Sequence, residues 1–329
     1  VLVVTRQEVE RAMSMPAAIN AMREVLLALE QGRALQPLRS SFELPGTHNR
    51  CWLMPAYAGS PASLGVKVLT AFHGNAGSSF DAHQGAVLLF GEHGELLALI
   101  DATSITATRT AAVSAVATDV LARTDASRLA ILGSGAQAQS HLEAMACVRS
   151  LAQVRVWSRT AAHADRFARA AADRMDVAVT VCTTVHDAVR DADIICVTTA
   201  AQSPVVTAGM VPRGAHVNAV GSGSALHREL ASEVVRDARV YVDRLESALQ
   251  EAGDIVLAIA DGTISETHLV GEVGSVLSGR VPGRGSVDEI TLFKSVGLGA
   301  EDVAAATAVY ARCVAEGLGT RVSFGADRA

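Results

Sequence analysis

Gly133-Ser134-Gly135-Ala136-Gln137-Ala138 is the stretch whose residue types and spacing point most directly to chemistry. A short apolar run at 128–133 leads into it, a helical pattern at 136–149 follows, and a second apolar run at 154–159 closes the unit. Strand, glycine turn, helix and strand in this order begin a dinucleotide-binding fold. Gly133 lets the chain turn sharply off the strand, and Gly135, lacking a Cβ, lets a pyrophosphate approach the backbone. Ala138 stands where a third glycine is usual and still allows close helix–strand packing. The helix then aims free N–H groups and the positive end of its dipole at the phosphates. Ser134 lies between glycines but lacks the Gly-x-Ser-x-Gly elbow, so it reads as a turn residue and not as a nucleophile.

Cofactor choice is set at the end of the second strand. An NAD-selective fold places an acid there for the ribose 2′-hydroxyl. This chain has Ser158, Arg159 and Thr160. Arg159 attracts a 2′-phosphate and the two hydroxyls can donate to it, so NADP(H) is the preferred cofactor. NAD(H) stays open, because an arginine stacked on adenine looks the same in sequence. Thr198 and Thr199, at the carboxyl end of a later strand, fall in the crevice expected for cofactor contacts.

The elements that must position these residues alternate strand and helix. Strands are expected at 128–133, 154–159, 177–182, 193–199, 216–221 and 239–244, with helices at 136–149, 161–173, 184–191 and 229–237. That alternation implies a parallel sheet covered on both faces. Residues 246–279 read as helix, loop and helix, and the glycine-rich run 283–299 as a loop returning to the cofactor.

Upstream the pattern differs. A strand at 1–4, a helix capped by Thr5 with Glu8, and a helix at 15–30 ended by Gly32 precede strand-like runs at 39–43, 51–57, 64–72, 86–90 and 96–100. Strands without helices between them suggest an α+β domain with exposed edges that a second copy could cover. A long helix at 101–123, broken near its start, hands the chain on, and a last helix at 300–316 packs back on the first domain. The fold class is therefore α/β: a Rossmann-type parallel-sheet domain at 116–299 plus an α+β domain at 1–115 with 300–329, to which the family resemblance given below assigns substrate binding and dimerisation.

The 329 residues suffice for two cores, and half of them are hydrophobic. The net charge is −6 with dispersed basic residues and no basic stripe interleaved with aromatics, which argues against a nucleic-acid partner. No apolar run reaches the ~20 residues of a membrane span, and no secretory leader is expected from the first residues. Five scattered cysteines without a C-x-x-C pair favour a reducing, cytoplasmic setting and no metal site.

Many segments together resemble the ornithine cyclodeaminase/mu-crystallin family, over nearly the whole chain. They are Gln36-Pro-Leu-Arg39, Met54-Pro-Ala-Tyr57, Gly65-Val-Lys67, His83-Gln84, Ile105-Thr-Ala-Thr-Arg109, Leu132-Gly-Ser-Gly-Ala-Gln-Ala138, Trp157-Ser-Arg-Thr160, His216-Val-Asn-Ala-Val-Gly221 and Phe293-Lys-Ser295. The resemblance implies that Arg39, Lys67 and Arg109 hold a substrate carboxylate. Three converging cations would repel unless an anion joined them, and arginine binds carboxylate bidentately. It also implies a pocket histidine at His83 and a nicotinamide site lined by Val220, Gly221 and Ser295. Lys67 and His83 are the candidate proton donors.

One departure separates the family's activities. Cyclodeaminases of the family carry an aspartate just after the strand ending Asn-Ala-Val-Gly, and here that position is Gly223. Glycine supplies neither base nor charge. The expected activity is therefore NAD(P)H-dependent reduction of small cyclic imino acids, of the Δ1-pyrroline-2-carboxylate or Δ1-piperideine-2-carboxylate type. Ornithine cyclodeamination with bound NAD, or non-catalytic binding of NADP or a small ligand, are the alternatives. The resemblance implies a homodimer and a small imino or amino acid as partner; the lack of a long apolar run gives no expectation of a membrane partner.

Overall fold

Alternating apolar residues from position 50 onward build strands that bury one face, and this pattern sets the first half of the molecule. The structure is a computed structural model that describes residues 1–324 except His48, Ser60, Ala76, Gly77, Ser79 and Asp176. Residues 325–329, at the end of the expected first domain, lie outside the described residues. The chain divides into two units, Val1–Arg109 with Leu298–Ala329, and Thr110–Gly297. The divisions fall a few residues before the expected 115/116 and 299/300. The helix Ala102–Leu121 runs through the first of them without the expected break. Asp101 Oδ1 accepts the Ser104 N–H at 2.9 Å and caps the helix start.

In the first unit, strands β1 (Leu2–Val4), β2 (Ser40–Glu43), β3 (Arg50–Gly59), β4 (Ala62–Ala71), β5 (His83–Phe90) and β6 (Leu96–Asp101) form one sheet. Its order is the two-residue strand Thr320–Arg321, then β1, β6, β5, β4, β3 and β2. From β2 to β6 all neighbours are antiparallel; β1 lies parallel to β6. Thr5 and Glu8 cap the helix Arg6–Ala12 as expected, and Met15–Glu30 follows with Pro16 in its first turn. The C-terminal helix Gly299–Glu316 packs on β3, β4 and β5 and on Met15–Glu30.

Register assigns the faces. Lys67 opposes Met54 on β3 and Val87 on β5, and Val87 opposes Ile100 on β6, so these share the helix-covered face. Gly65 lies on that face too. A Cβ there would sit 2.7 Å from Val303 Cγ2 and 2.9 Å from the Leu88 carbonyl, so its absence seats the C-terminal helix. Phe42, Leu53, Leu64 and Leu99 point the other way and are exposed.

In the second unit, β7 (Arg128–Leu132), β8 (Gln153–Trp157), β9 (Val179–Val181), β10 (Ile194–Val197), β11 (His216–Ala219), β12 (Arg239–Val242), β13 (Leu269–Glu272) and β14 (Thr291–Lys294) form a wholly parallel sheet. The order is β13-β12-β14-β11-β10-β7-β8-β9, with the reversal of winding between β7 and β10. β10, β11 and β14 are buried along their whole length.

Three expectations change here. The run 283–299 is not one loop: it contains β14, a central strand. β14 is only four residues long and ends in Lys294, which disguises it; that lysine is fully buried against Asp254. Residues 246–279 hold β13 as well as the helices Leu245–Glu251, Gly253–Ala260 and Val273–Leu277. The helix expected at 229–237 shortens to Ser232–Arg236, because Leu230 pairs with Val206 as extended chain and the Glu229 carbonyl accepts the Val205 N–H at 2.8 Å.

Replacing Gly65 by Val should lower stability by about 1–3 kcal/mol, the usual cost of overpacking. Thermal unfolding checks this, and an unchanged melting temperature would mean that the helix is not seated on Gly65.

Candidate active site

Lys67 stands in the middle of β4 and is 1% exposed. Its Nζ donates to both carboxylate oxygens of Asp302, each at 3.1 Å. Arg109, 4% exposed on the helix Ala102–Leu121, donates from Nε to Asp302 Oδ1 at 2.9 Å and from Nη1 to Glu301 Oε2 at 2.9 Å. Glu301 and Asp302 open the C-terminal helix and are wholly buried. Two cations from separate elements thus meet two acids. Burial pushes the Lys67 ammonium down to about 8; Asp302 pulls it back up, while the charges of Arg109 and Arg39 push it further down.

Arg39 therefore lies within electrostatic reach of Lys67. The register explains why: Ser40, at the start of β2, opposes Leu53, so Arg39 falls in line with Met54 and Lys67 across the sheet. His83 lies on the same strand as Val87. It opposes Ala71 at the far end of β5, four residues and roughly 13 Å along the strand from Val87, and is exposed. The structure brings Arg39, Lys67 and Arg109 together, with His83 at the end of the adjacent strand.

Glu301 and Asp302 were not singled out in the sequence. In the first turn of a helix, acids read as partners of the helix dipole. Nothing local distinguishes that role from pairing with Lys67 and Arg109, which lie far away in the chain. They also alter the expectation that three cations must wait for a ligand anion, since the protein supplies two of its own.

In the second unit the cofactor candidates lie along one crest, at the carboxyl ends of β14, β11, β10, β7 and β8. Gly133 adopts φ +119°, and its N–H donates to the Trp157 carbonyl at 2.8 Å. A Cβ there would come within 2.7 Å of the Thr198 carbonyl, so the turn needs glycine. Gly135 caps the helix Ala136–Val148, and the space where its Cβ would point is open to 4 Å. Ala136 and Gln137 form the first turn, and Ala138 is buried. This helix start with an uncovered backbone fits the pyrophosphate of a dinucleotide.

Ser134 Oγ donates to Ser158 Oγ at 3.0 Å and ties the glycine turn to the end of β8, where Arg159 and Thr160 are exposed. Thr198 Oγ1 donates to the Leu132 carbonyl at 3.1 Å. Thr199 and Gly221 both donate to the Glu229 carboxylate, and Val220 continues from β11 with its N–H on the Val197 carbonyl. The Ser295 hydroxyl donates to Asp243 Oδ2 at 3.2 Å, which also accepts the N–H groups of Val296 and Gly297. Gly223 is exposed, and no acid lies between Gly221 and Arg228. Among the described residues no group of three or more His, Cys, Asp or Glu could hold a metal.

A doubly wound parallel sheet carrying this turn, together with an α+β unit that buries a cation–acid cluster, defines a two-domain dinucleotide-binding protein. The chain belongs to the ornithine cyclodeaminase/mu-crystallin family, whose model matches residues 1–317. It is 39% identical over 280 residues, 85% of each chain, to the ketimine reductase mu-crystallin of Mus musculus. It superposes with a TM-score of 0.95 and 35% identity on the Delta(1)-pyrroline-2-carboxylate reductase of Thermococcus litoralis in complex with NADH and L-proline, over 98% of this chain and 100% of that one. An archaeal alanine dehydrogenase dimer with bound NAD matches with a TM-score of 0.93 and 31% identity, over 99% of both chains.

Replacing Asp302 by Ala would leave Lys67 and Arg109 buried with too little counter-charge. The expected loss is about 3–5 kcal/mol of stability, read by equilibrium urea unfolding. A loss below about 1 kcal/mol would mean that the pair behaves as a solvated surface bridge.

Proposed function

We propose that the protein is a nicotinamide-dependent reductase of small cyclic imino acids, of the Δ1-pyrroline-2-carboxylate or Δ1-piperideine-2-carboxylate type. The observation that carries this is the meeting of Arg39, Lys67 and Arg109, from three separate parts of the chain, around one buried spot. Similarity to a ketimine reductase and to a reductase bound to NADH and L-proline supports it. So does Gly223, which supplies no acid for a cyclodeaminase's proton chemistry.

The roles follow from charge and geometry. Arg39 and Arg109 orient the substrate carboxylate, and Glu301 and Asp302 keep the buried cations from repelling one another in its absence. Lys67 carries a proton at neutral pH and is the group we assign to donate it to the imine nitrogen; exposed His83 is the weaker candidate. When bound, the nicotinamide cofactor supplies the hydride. Arg159 with Ser158 and Thr160 at the end of β8 favours NADP(H) over NAD(H), because all three can bind a 2′-phosphate and none would repel it. Fixing the reacting groups in a near-attack geometry is worth roughly 7–11 kcal/mol of the barrier.

The assembly is read as a homodimer. Phe42, Leu53, Leu64 and Leu99, which are 58, 39, 47 and 37% exposed, all lie on the open face of the first sheet. A second copy covers such a face more fully than edge pairing alone. No described helix is long and apolar enough to cross a membrane. Five free thiols suit a reducing, cytoplasmic compartment.

The deciding assay mixes the protein with Δ1-pyrroline-2-carboxylate and either NADPH or NADH and follows nicotinamide absorbance. Faster oxidation of NADPH is expected, with no ammonia released from ornithine; ammonia release without imine reduction would reverse the choice. Arg39→Met should raise the imino-acid KM at least about tenfold while leaving the cofactor KM within about twofold, since a charge-assisted hydrogen bond is lost. Because Lys67 is an ammonium only below about 8, kcat/KM for the imino acid should fall as pH rises through that value. Lys67→Met should remove this alkaline limb, and a limb retained in that variant would exclude Lys67 as the donor.

A further inference from the structure

Glu229 has no role in any expectation drawn from the sequence, yet it joins two of the loops that carry cofactor candidates. It is fully buried. Its Oε1 accepts the Thr199 N–H at 2.7 Å and the Thr199 hydroxyl at 2.6 Å. Its Oε2 accepts the Gly221 N–H at 2.6 Å and the Ser222 N–H at 3.2 Å. One carboxylate therefore holds the chain leaving β10 against the chain leaving β11, where adjacent parallel strands open into the crevice.

The carboxylate is itself held from behind. Asp254 Oδ1, on the helix Gly253–Ala260, accepts the Glu229 and Leu230 N–H groups. Asp254 Oδ2 lies 2.8 Å from Lys294 Nζ, at the end of β14, and that ammonium also donates to the Ser222 carbonyl at 2.6 Å. All three side chains are fully buried. A buried network of this kind is costly unless each member is satisfied, and it rigidifies what it touches.

We propose that Glu229 is a positioning residue for the nicotinamide cofactor, fixing Thr199, Gly221 and Ser222 as one rigid wall of the crevice. The proposal rests on the reading of that crest as the cofactor site. Two buried acids share one lysine, and burial together with Asp254 pushes the Glu229 carboxyl up to about 7 against the pull of Lys294 and of the Thr199 donors. The groups facing it are Lys294 from β14, Asp254 from the helix Gly253–Ala260 and the Thr199 hydroxyl. Three of its four donors are backbone N–H groups that cannot reverse direction. A proton on Glu229 therefore breaks part of the clamp, and cofactor affinity should weaken as pH falls through about 7.

The test measures binding of NADH, which lacks a titrating 2′-phosphate, by its fluorescence across pH 6–9, and steady-state KM values with Δ1-pyrroline-2-carboxylate. Glu229→Gln puts an amide N–H₂ against backbone donors. It should raise the cofactor Kd and KM at least about tenfold, leave the imino-acid KM within about twofold, and flatten the pH dependence seen in the wild type. Should that variant lose cooperative thermal unfolding, Glu229→Asp, which keeps the charge but shortens the reach, should raise cofactor Kd about threefold. A cofactor Kd within twofold of wild type in a folded variant, equal rises in both KM values, or a wild-type Kd flat across that pH range would overturn the proposal. Wild-type protein that binds neither NADH nor NADPH would instead overturn the cofactor site itself.

Discussion

Everything in the first unit turns on one carboxylate. Asp302 accepts from Lys67 and Arg109 at once, and all three are removed from water. Cations so buried cannot persist without an anion of good geometry, and that anion must arrive from a distant part of the chain. The C-terminal helix brings it. The packing of that helix on β3, β4 and β5, with room made by Gly65, is thus a condition for the charge cluster and not an independent feature of the core. The cluster ties a strand, a helix and the end of the chain into one unit.

The second unit meets a different constraint. A parallel sheet ends all its strands on the same side, so the turns after β7, β8, β10, β11 and β14 gather along one crest. Hydrogen bonds then cross-link the crest: Ser134 to Ser158, Thr198 to Leu132, Thr199 to Gly221 through Glu229, and Ser295 to Asp243. Loops without such links would be mobile, and a dinucleotide would have to order them on binding. Buried acids at 229 and 243 take up backbone N–H groups that the strand ends leave over, and Asp254 takes those of Glu229 and Leu230.

Legibility in the sequence followed the range of the interactions. The capping pair Thr5 and Glu8, the helix Met15–Glu30 and the glycine turn at 133–135 were readable because each is decided within a few residues. β14 was not, because its four residues owe their strand state to β11 and β12 on either side, and its terminal lysine looks polar until Asp254 is in place. Glu301 and Asp302 were silent for the same reason. The register of His83, four residues along β5 from Val87, was equally out of reach of the sequence.

By itself, the sequence determined the two-unit division in outline, the order of most strands and helices, the glycine turn with its following helix, and the family to which the chain belongs. These depend on local periodicity, turn chemistry and short motifs, all of which act between near neighbours. Only the tertiary structure decided strand order and register, the lining up of Arg39 with Lys67, and the meeting of Lys67 and Arg109 with Asp302 and Glu301. It alone revealed Glu229 between two strand ends. Those pairings join residues from eight to more than two hundred positions apart, and no spacing rule along the chain encodes which partners a buried charge will find.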